Sequence, residues 1–389
     1  MDGFAETYFE ACRGPVFEEV ERIIQNWTSA DQYTYGLMMD YVARKAKGLR
    51  PGLCIAVCQA LGGSLEEVAP SAAVIELFHN AFLIHDDIED GSEERRGSPA
   101  LHQTHGTPIA LNIGDGLLAL SLRPLLDNTQ RLGLSRTLKI LEIVVHMVTE
   151  SFEGQAMELR WIDEGNWDLV ENDYEQMVRK KTCCYSFVSP AEVGAIVAKA
   201  DLSIRNKLKQ FTYSLGLAFQ IQDDLLNLSD DKFAYGKERD GDLWEGKRTL
   251  MLLRAIGHAN ENEKKRAAEI LSRARPSSTM NVGSQRTVEA FIDSLRENNV
   301  VDHQTEKLIG EFARESFQLA SKQEKTPEDI EFLKDLITKY DGIRHARDIA
   351  AGHARDAKRA WENISLELEQ SIHTQFIAGL TDFVVAREY

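Results

Sequence analysis

Apolar residues recur at helical spacing through most of the chain, and no stretch reads as a strand. From Phe4 to Trp27 the apolar positions Phe9, Val16, Val20, Ile23 and Ile24 fit a helix. A second helix is predicted from Asp31 to about Ala46, followed by the turn Lys47-Gly48-Leu49-Arg50-Pro51. Pro51 suits the first turn of a third helix, which Gly62–Gly63 end. Further helices are expected over Glu66–Asp87, Ile109–Asn128, Leu134–Met157, Asn172–Val188 and Ser203–Ser229. Gly91, Gly97, Pro99, Gly106 and Pro108 mark a long loop, and Trp161–Asp168 a shorter one. From Gly257 to Asp329 the pattern thins to two or three amphipathic helices with a loop at Pro276–Ser284. The predicted fold is all-α: one large helical bundle spanning residues 1–389, with 257–329 an elaborated C-terminal layer.

Two of these helices end in acids. Phe82–Pro99 reads FLIHDDIEDGSEERRGSP, and Asp86, Asp87 and Asp90 form a D-D-x-x-D pattern. On a helix, Asp86 and Asp90 lie one turn apart on the same face. With Glu89 they crowd four carboxylates into five residues, which calls for a cation. A hard divalent ion such as Mg²⁺ takes carboxylate oxygens and shares them with phosphates. Arg95 and Arg96 follow at once, and guanidinium forks suit phosphate oxygens. Metal acids beside such arginines point to diphosphate chemistry. A lone D-D-x-x-D also occurs on solvated helix ends. An EF-hand is excluded, because Ile88 and Gly97 occupy the third and twelfth positions. The decisive feature is a second copy: FQIQDDLLN, Phe219–Asn227, keeps Phe, Ile and the Asp pair at the offsets of FLIHDDIED. Facing helices of a bundle can carry such acids inward and share metals.

Composition narrows the partners. The net charge of −17 argues against nucleic acid. Cations that bind diphosphate must then be locally clustered. The five cysteines (Cys12, Cys54, Cys58, Cys183, Cys184) show no framework spacing, and Cys54-x₃-Cys58 lacks a second pair for zinc. They read as reduced core thiols of a cytoplasmic protein. The acidic start MDGFAETYFEACRG has no signal-peptide profile, and no membrane span is expected.

With both acid motifs in place, the chain resembles the trans-isoprenyl diphosphate synthases, the farnesyl and geranylgeranyl diphosphate synthase group. The resemblance runs from about Lys47 to Leu250, with a weaker match near Tyr340–Trp361. The segment from Glu76 to His102 and the second motif ending in Asn227 look most like geranylgeranyl synthases of eukaryotic type.

The resemblance implies a homodimer, with three Mg²⁺ held by Asp86, Asp87, Asp90, Asp223, Asp224 and Asn227 on an allylic diphosphate. Arg95, Lys181 and Lys237 would neutralise that diphosphate. Lys247 matches a second family lysine, and Thr182 follows Lys181 in a family K-T pair. Gln220 would line the carbocation pocket. Lys47, Arg50, His79 and Arg96 would hold isopentenyl diphosphate. Ala81 and Phe82, five and four residues before Asp86, would form the floor that sets product length. Phe82 favours fifteen carbons, while the eukaryotic-type match favours twenty.

Two rivals use the same fold. A class I terpene cyclase would share the metals, and Asp223, Asn227 and Asp231 fall at its i, i+4, i+8 spacing. It has no reason to keep a second diphosphate site. A non-catalytic subunit of a prenyl synthase should have lost acids or lysines, and here the set is nearly complete.

Overall fold

The computed structural model describes residues 2–25, 32–44, 48–228, 240–275 and 324–385, with isolated positions between 291 and 309. Lys47, Asp231, Lys237 and most of 276–323 lie outside the described residues. The N-terminal part holds α1 (Asp2–Gln25), α2 (Gln32–Ala43), α3 (Leu49–Ala60) and α4 (Leu65–Glu89), then a hairpin of β1 (Glu94–Arg95) and β2 (Ser98–Pro99). Next come α5 (Leu101–His105), α6 (Thr107–Ser121), α7 (Arg123–Leu132), α8 (Leu134–Asp163) and α9 (Glu171–Val178). A π-helical stretch, Arg179–Val188, leads into α10 (Ser189–Val197) and α11 (Leu202–Asn227). The C-terminal part holds α12 (Gly241–Glu245), α13 (Leu250–His258), α14 (Glu261–Leu271), α15 (Pro327–Lys339), α16 (Gly342–Ser365) and α17 (Ile372–Val385). The fold is all-α, with the two-residue strands β1 and β2 the exception among the described residues.

The two acid-bearing helices start on side-chain caps. Ser64 accepts from the Glu67 amide at the head of α4, and Asp201 from the Ile204 amide at the head of α11. Glu66 and Glu67 in the first turn of α4 also favour the positive end of the helix dipole. Between these caps and the acids, α4 is largely apolar and buried from Val68 to Ala81 except at Ala69, as expected of a helix surrounded by others. It packs against α1, α3, α6 and α7, while α11 packs against α16 and the π-helical stretch. One apolar core joins α1, α3, α4, α6, α8, α10 and α17, and a second joins α13–α16 with Trp161 and Tyr174. Helix α11 feeds both, through Phe211 and Leu215 on one side and Leu217 and Ile221 on the other.

All five cysteines are buried and unbridged. The expectation that no apolar run approaches membrane length needs correction. Leu65–Glu89 and the stretch Thr107–Leu132 pass by length and composition, with mean hydropathy 1.2 and 1.4. The first is 83% buried inside the protein, so its apolarity is that of a core helix; the second is 39% buried. Neither establishes a membrane span.

Candidate active site

The C-terminal turn of α4 carries the first acids. Asp87 is wholly buried: Tyr41 Oη donates to its Oδ2 at 2.7 Å and Arg95 Nε to its Oδ1 at 2.8 Å. Arg95 Nη2 also donates to Asp87 Oδ1 and reaches Asp86 Oδ2 at 3.1 Å. Burial works against the Arg95 charge, but Asp87 and Asp86 outweigh it and hold the guanidinium protonated. Asp87, expected among the metal ligands, and Arg95, expected at the diphosphate, are paired with each other in this structure. Asp86 reaches Arg95 and Lys181 and keeps more exposure than Asp87, its side chain at 22% against 1%.

The hairpin explains how two adjacent arginines serve two places. Arg95 pairs with Ser98, so Arg96 and Gly97 are the loop, with φ of 56° and 74°. That is the two-residue turn with positive φ at both positions that strand twist favours. It turns Arg95 back to the acids and sends Arg96 to the Tyr41 carbonyl at 3.0 Å and His79 Nε2 at 3.4 Å.

Lysines close the acids from the opposite side. Lys247, on the loop after α12, donates to Asp90 Oδ2 at 2.9 Å and lies 2.6 Å from Glu245 and 3.8 Å from Asp242. Burial pushes the Asp90 carboxyl up, against the pull of Lys247. Lys181 donates to Glu158 and lies 3.8 Å from Asp86 Oδ1. Burial opposes its charge, but Glu158 and Asp86 outweigh that and keep the ammonium protonated. Burial would raise Glu158, yet Lys181 and Lys247 hold it below the usual range. Lys181 stands there because α8 presents bare backbone: a Cβ on Gly154 would fall 2.3 Å from the Lys181 amide nitrogen.

The second acid motif forms the facing wall. Asp224 accepts from Tyr174 Oη at 2.7 Å and from Gln220 Nε2 at 2.8 Å, and Gln220 Oε1 accepts from Thr182 Oγ1 at 2.9 Å. Burial pushes Asp224 up. Asp223 is partly exposed beside it. Asn227, expected among the metal ligands, accepts the Asp242 amide on its Oδ1 at 3.0 Å and the Asp240 amide on its own carbonyl at 3.1 Å. It anchors the segment that carries Lys247.

A separate basic group lies further up α4. Arg50 Nη1 and Arg96 Nη2 both approach His79 Nε2, at 3.1 and 3.4 Å. Burial and these arginines hold His79 well below its ordinary pKa, so it is neutral and Nε2 is the acceptor. Arg50 Nη2 also donates to Tyr185 Oη at 2.7 Å, its guanidinium 4.5 Å from the ring centroid. Between the two groups stands Phe82, edge to face with Tyr185 at 5.6 Å. Ala81 is wholly buried in the core.

Glu158, Tyr41 and Tyr185 carry site roles the sequence reading did not assign. Glu158 had a signal, since it sits one turn beyond Gly154 in Gly-Gln-x-x-Glu. Tyr185 stands four residues after Lys181. Tyr41 had none, because its contacts are made across the bundle.

The donors facing one another here are hard carboxylate oxygens, which suits Mg²⁺ rather than a softer metal. Among the described residues no three carboxylates, histidines or cysteines converge closely enough to hold an ion unaided. A donor set that incomplete fits an ion whose coordination is completed by substrate phosphate.

Two walls of acids and lysines on facing helices, with a second basic group along one of them, define a helical enzyme that handles diphosphates. The polyprenyl synthetase family model matches residues 31–287, and the chain belongs to that family. It is 31% identical to the short chain isoprenyl diphosphate synthase of Methanothermobacter thermautotrophicus, over 88% of this chain and 87% of the relative. It is 35% identical to the geranylgeranyl diphosphate synthase of Saccharolobus solfataricus, over 56% of this chain and 65% of the relative. The structure of geranylgeranyl pyrophosphate synthetase from Pyrococcus horikoshii superposes with a TM-score of 0.76 at 25% identity, covering 100% and 99% of the two chains.

Proposed function

We propose that this protein joins isopentenyl diphosphate head to tail with an allylic diphosphate, with geranylgeranyl diphosphate as main product and farnesyl diphosphate second. The observation that carries the reading is the pair of separate basic groups that other elements set against α4: Lys181 and Lys247 at Asp86 and Asp90, and Arg50 and Arg96 at His79. Two diphosphates need two such places, and a cyclase needs one.

The barrier is charge separation as the allylic diphosphate leaves. Asp86, Asp90, Asp223 and Asp224 would hold Mg²⁺, three ions by family resemblance, which would neutralise the leaving oxygens. Lys181 and Lys247, kept protonated by their acid neighbours, add fixed cations aimed at the same place. Arg50 and Arg96 hold the second diphosphate so that its double bond faces the allylic carbon. Phe82 and Tyr185 keep the space between apolar and exclude water from the cation. The released diphosphate is the base for the final proton.

Self-association is part of the proposal. Leu134, Leu138, Val145 and Phe152 form an exposed apolar stripe along α8, and Leu122 and Leu126 extend it. Such a stripe fits a second copy of the chain.

The test is incubation with Mg²⁺ and farnesyl diphosphate, with and without isopentenyl diphosphate. Longer prenyl alcohols after phosphatase treatment are expected only with isopentenyl diphosphate. Hydrocarbon in its absence would make the protein a cyclase, and no turnover in either would make it a subunit.

A further inference from the structure

The basic group around His79 has more positive charge than the two motif arginines supply. Helix α1 crosses the start of α3 closely: the Phe9 ring lies 2.8 Å from where a Cβ on Gly52 would stand, and the Phe9 carbonyl 3.9 Å from one on Gly48. Arg13 follows Phe9 by one turn, on the same face of α1. That face looks onto α4 and α3, which bring Glu76, His79 and Arg50 together. Arg13 is partly buried there, and among the described residues it makes no hydrogen bond or ion pair.

We infer that Arg13 of α1 is a further binding residue for the second diphosphate, completing with Arg50 and Arg96 a three-guanidinium cradle around Glu76, one turn before His79 on α4. The inference rests on the proposed function, because the diphosphate it serves is that of isopentenyl diphosphate. Charge balance supports it. Among the described residues the field of Glu76 meets all three guanidiniums, and its Oε1 accepts a hydrogen bond from Asn80 at 3.1 Å. Three cations facing one buried carboxyl leave an excess of two charges, which a diphosphate would neutralise. The field of Arg13 reaches both Glu76 and Arg96, and burial together with the neighbouring arginines disfavours the Arg96 charge. Unsatisfied donors point the same way: His79 Nδ1 and Arg50 Nε are buried without partners. A guanidinium cluster held apart in this way gains when an anion with several oxygens enters it.

The test is a comparison of Arg13→Ala, Arg13→Lys and the control Glu10→Gln, an exposed residue on the same helix. Loss of one charge-assisted contact predicts a KM for isopentenyl diphosphate raised about tenfold in Arg13→Ala. The KM for the allylic substrate, kcat and the melting temperature should stay near wild type. Arg13→Lys should recover part of the affinity, and Glu10→Gln should change nothing. A binding readout without turnover is protection of the protein from thermal unfolding by isopentenyl diphosphate alone, which should weaken in Arg13→Ala. An unchanged KM, an equal rise in both KM values, or no recovery with lysine would overturn the inference. Absence of any isopentenyl-dependent product from the wild type would instead overturn the function on which it rests.

Discussion

Gly154 of α8 and Lys181 of the π-helical stretch meet backbone to backbone, with no room for a methyl group between them. The lysine's place in the site is thus set by the absence of a side chain on another helix. Gly154→Ala should displace the stretch by a few tenths of an ångström or more. Overpacking of this kind costs about 1–3 kcal/mol, and misplaced catalytic groups about 100-fold in rate. Urea unfolding and kcat measure the two effects, and a fully active, fully stable variant would show that Lys181 does not depend on this contact.

The adjacent acids of the first motif should fail differently. Asp87→Ala leaves Arg95 buried without its main partner and should cost about 3–5 kcal/mol of stability. Asp86 is more exposed, its side chain at 22%, and Asp86→Ala should cost under about 1 kcal/mol. Its damage should appear in turnover instead. Thermal unfolding and kcat of both variants decide. Equal melting temperatures would contradict the division of roles drawn here.

Phe82 and Tyr185 share the space between the two basic groups. Phe82→Ala should lengthen the main product, as read by reverse-phase chromatography of the dephosphorylated alcohols. Ala81→Phe inserts a ring into a filled core and should lose about 1–3 kcal/mol before it changes product length. An unchanged product distribution in Phe82→Ala would move the floor to another helix.

Lys325 gives a pH dependence remote from the chemistry. Burial, together with Arg248, lowers its pKa to about 8, and its Nζ donates to the Trp244 carbonyl. Below pH 8 the folded and unfolded chains are both protonated, and the folded state bears the whole cost of the buried charge. Between pH 8 and the unfolded value of 10.5 the folded chain has released a proton that the unfolded chain still holds. Stability from this group therefore rises with pH across that window. Lys325→Met should remove the rise, so wild type should gain on the variant between pH 8 and 10 in thermal unfolding. Parallel curves would argue that the ammonium is solvated.

Much of this was legible in the sequence because helices report themselves locally. The spacing of Asp86 and Asp90 fixed their common face before any packing was known, and the twin motif told that two helices would share the site. What was not legible depended on distant backbone. The contact of Asn227 with the Asp242 amide joins residues 15 apart, through a segment folding back from Asp240. Arg95 and Arg96 were told apart by the resemblance alone, and the turn supplies the physical reason by giving them opposite directions. Tyr41 carries no motif, and its contact with Asp87 bridges residues 46 apart.

Helix α4 also acts as a gauge. His79 and Asp86, at the two proposed diphosphate places, lie on one uninterrupted rod, seven residues or about 10.5 Å apart along its axis. That interval is set by backbone hydrogen bonds, which side-chain substitution barely alters. One residue added between them would lengthen the rod by about 1.5 Å and rotate everything beyond it by about 100°, turning one substrate away from the other. Side chains such as Phe82 can then vary and change how long a product grows, while the distance over which the new bond forms stays constant.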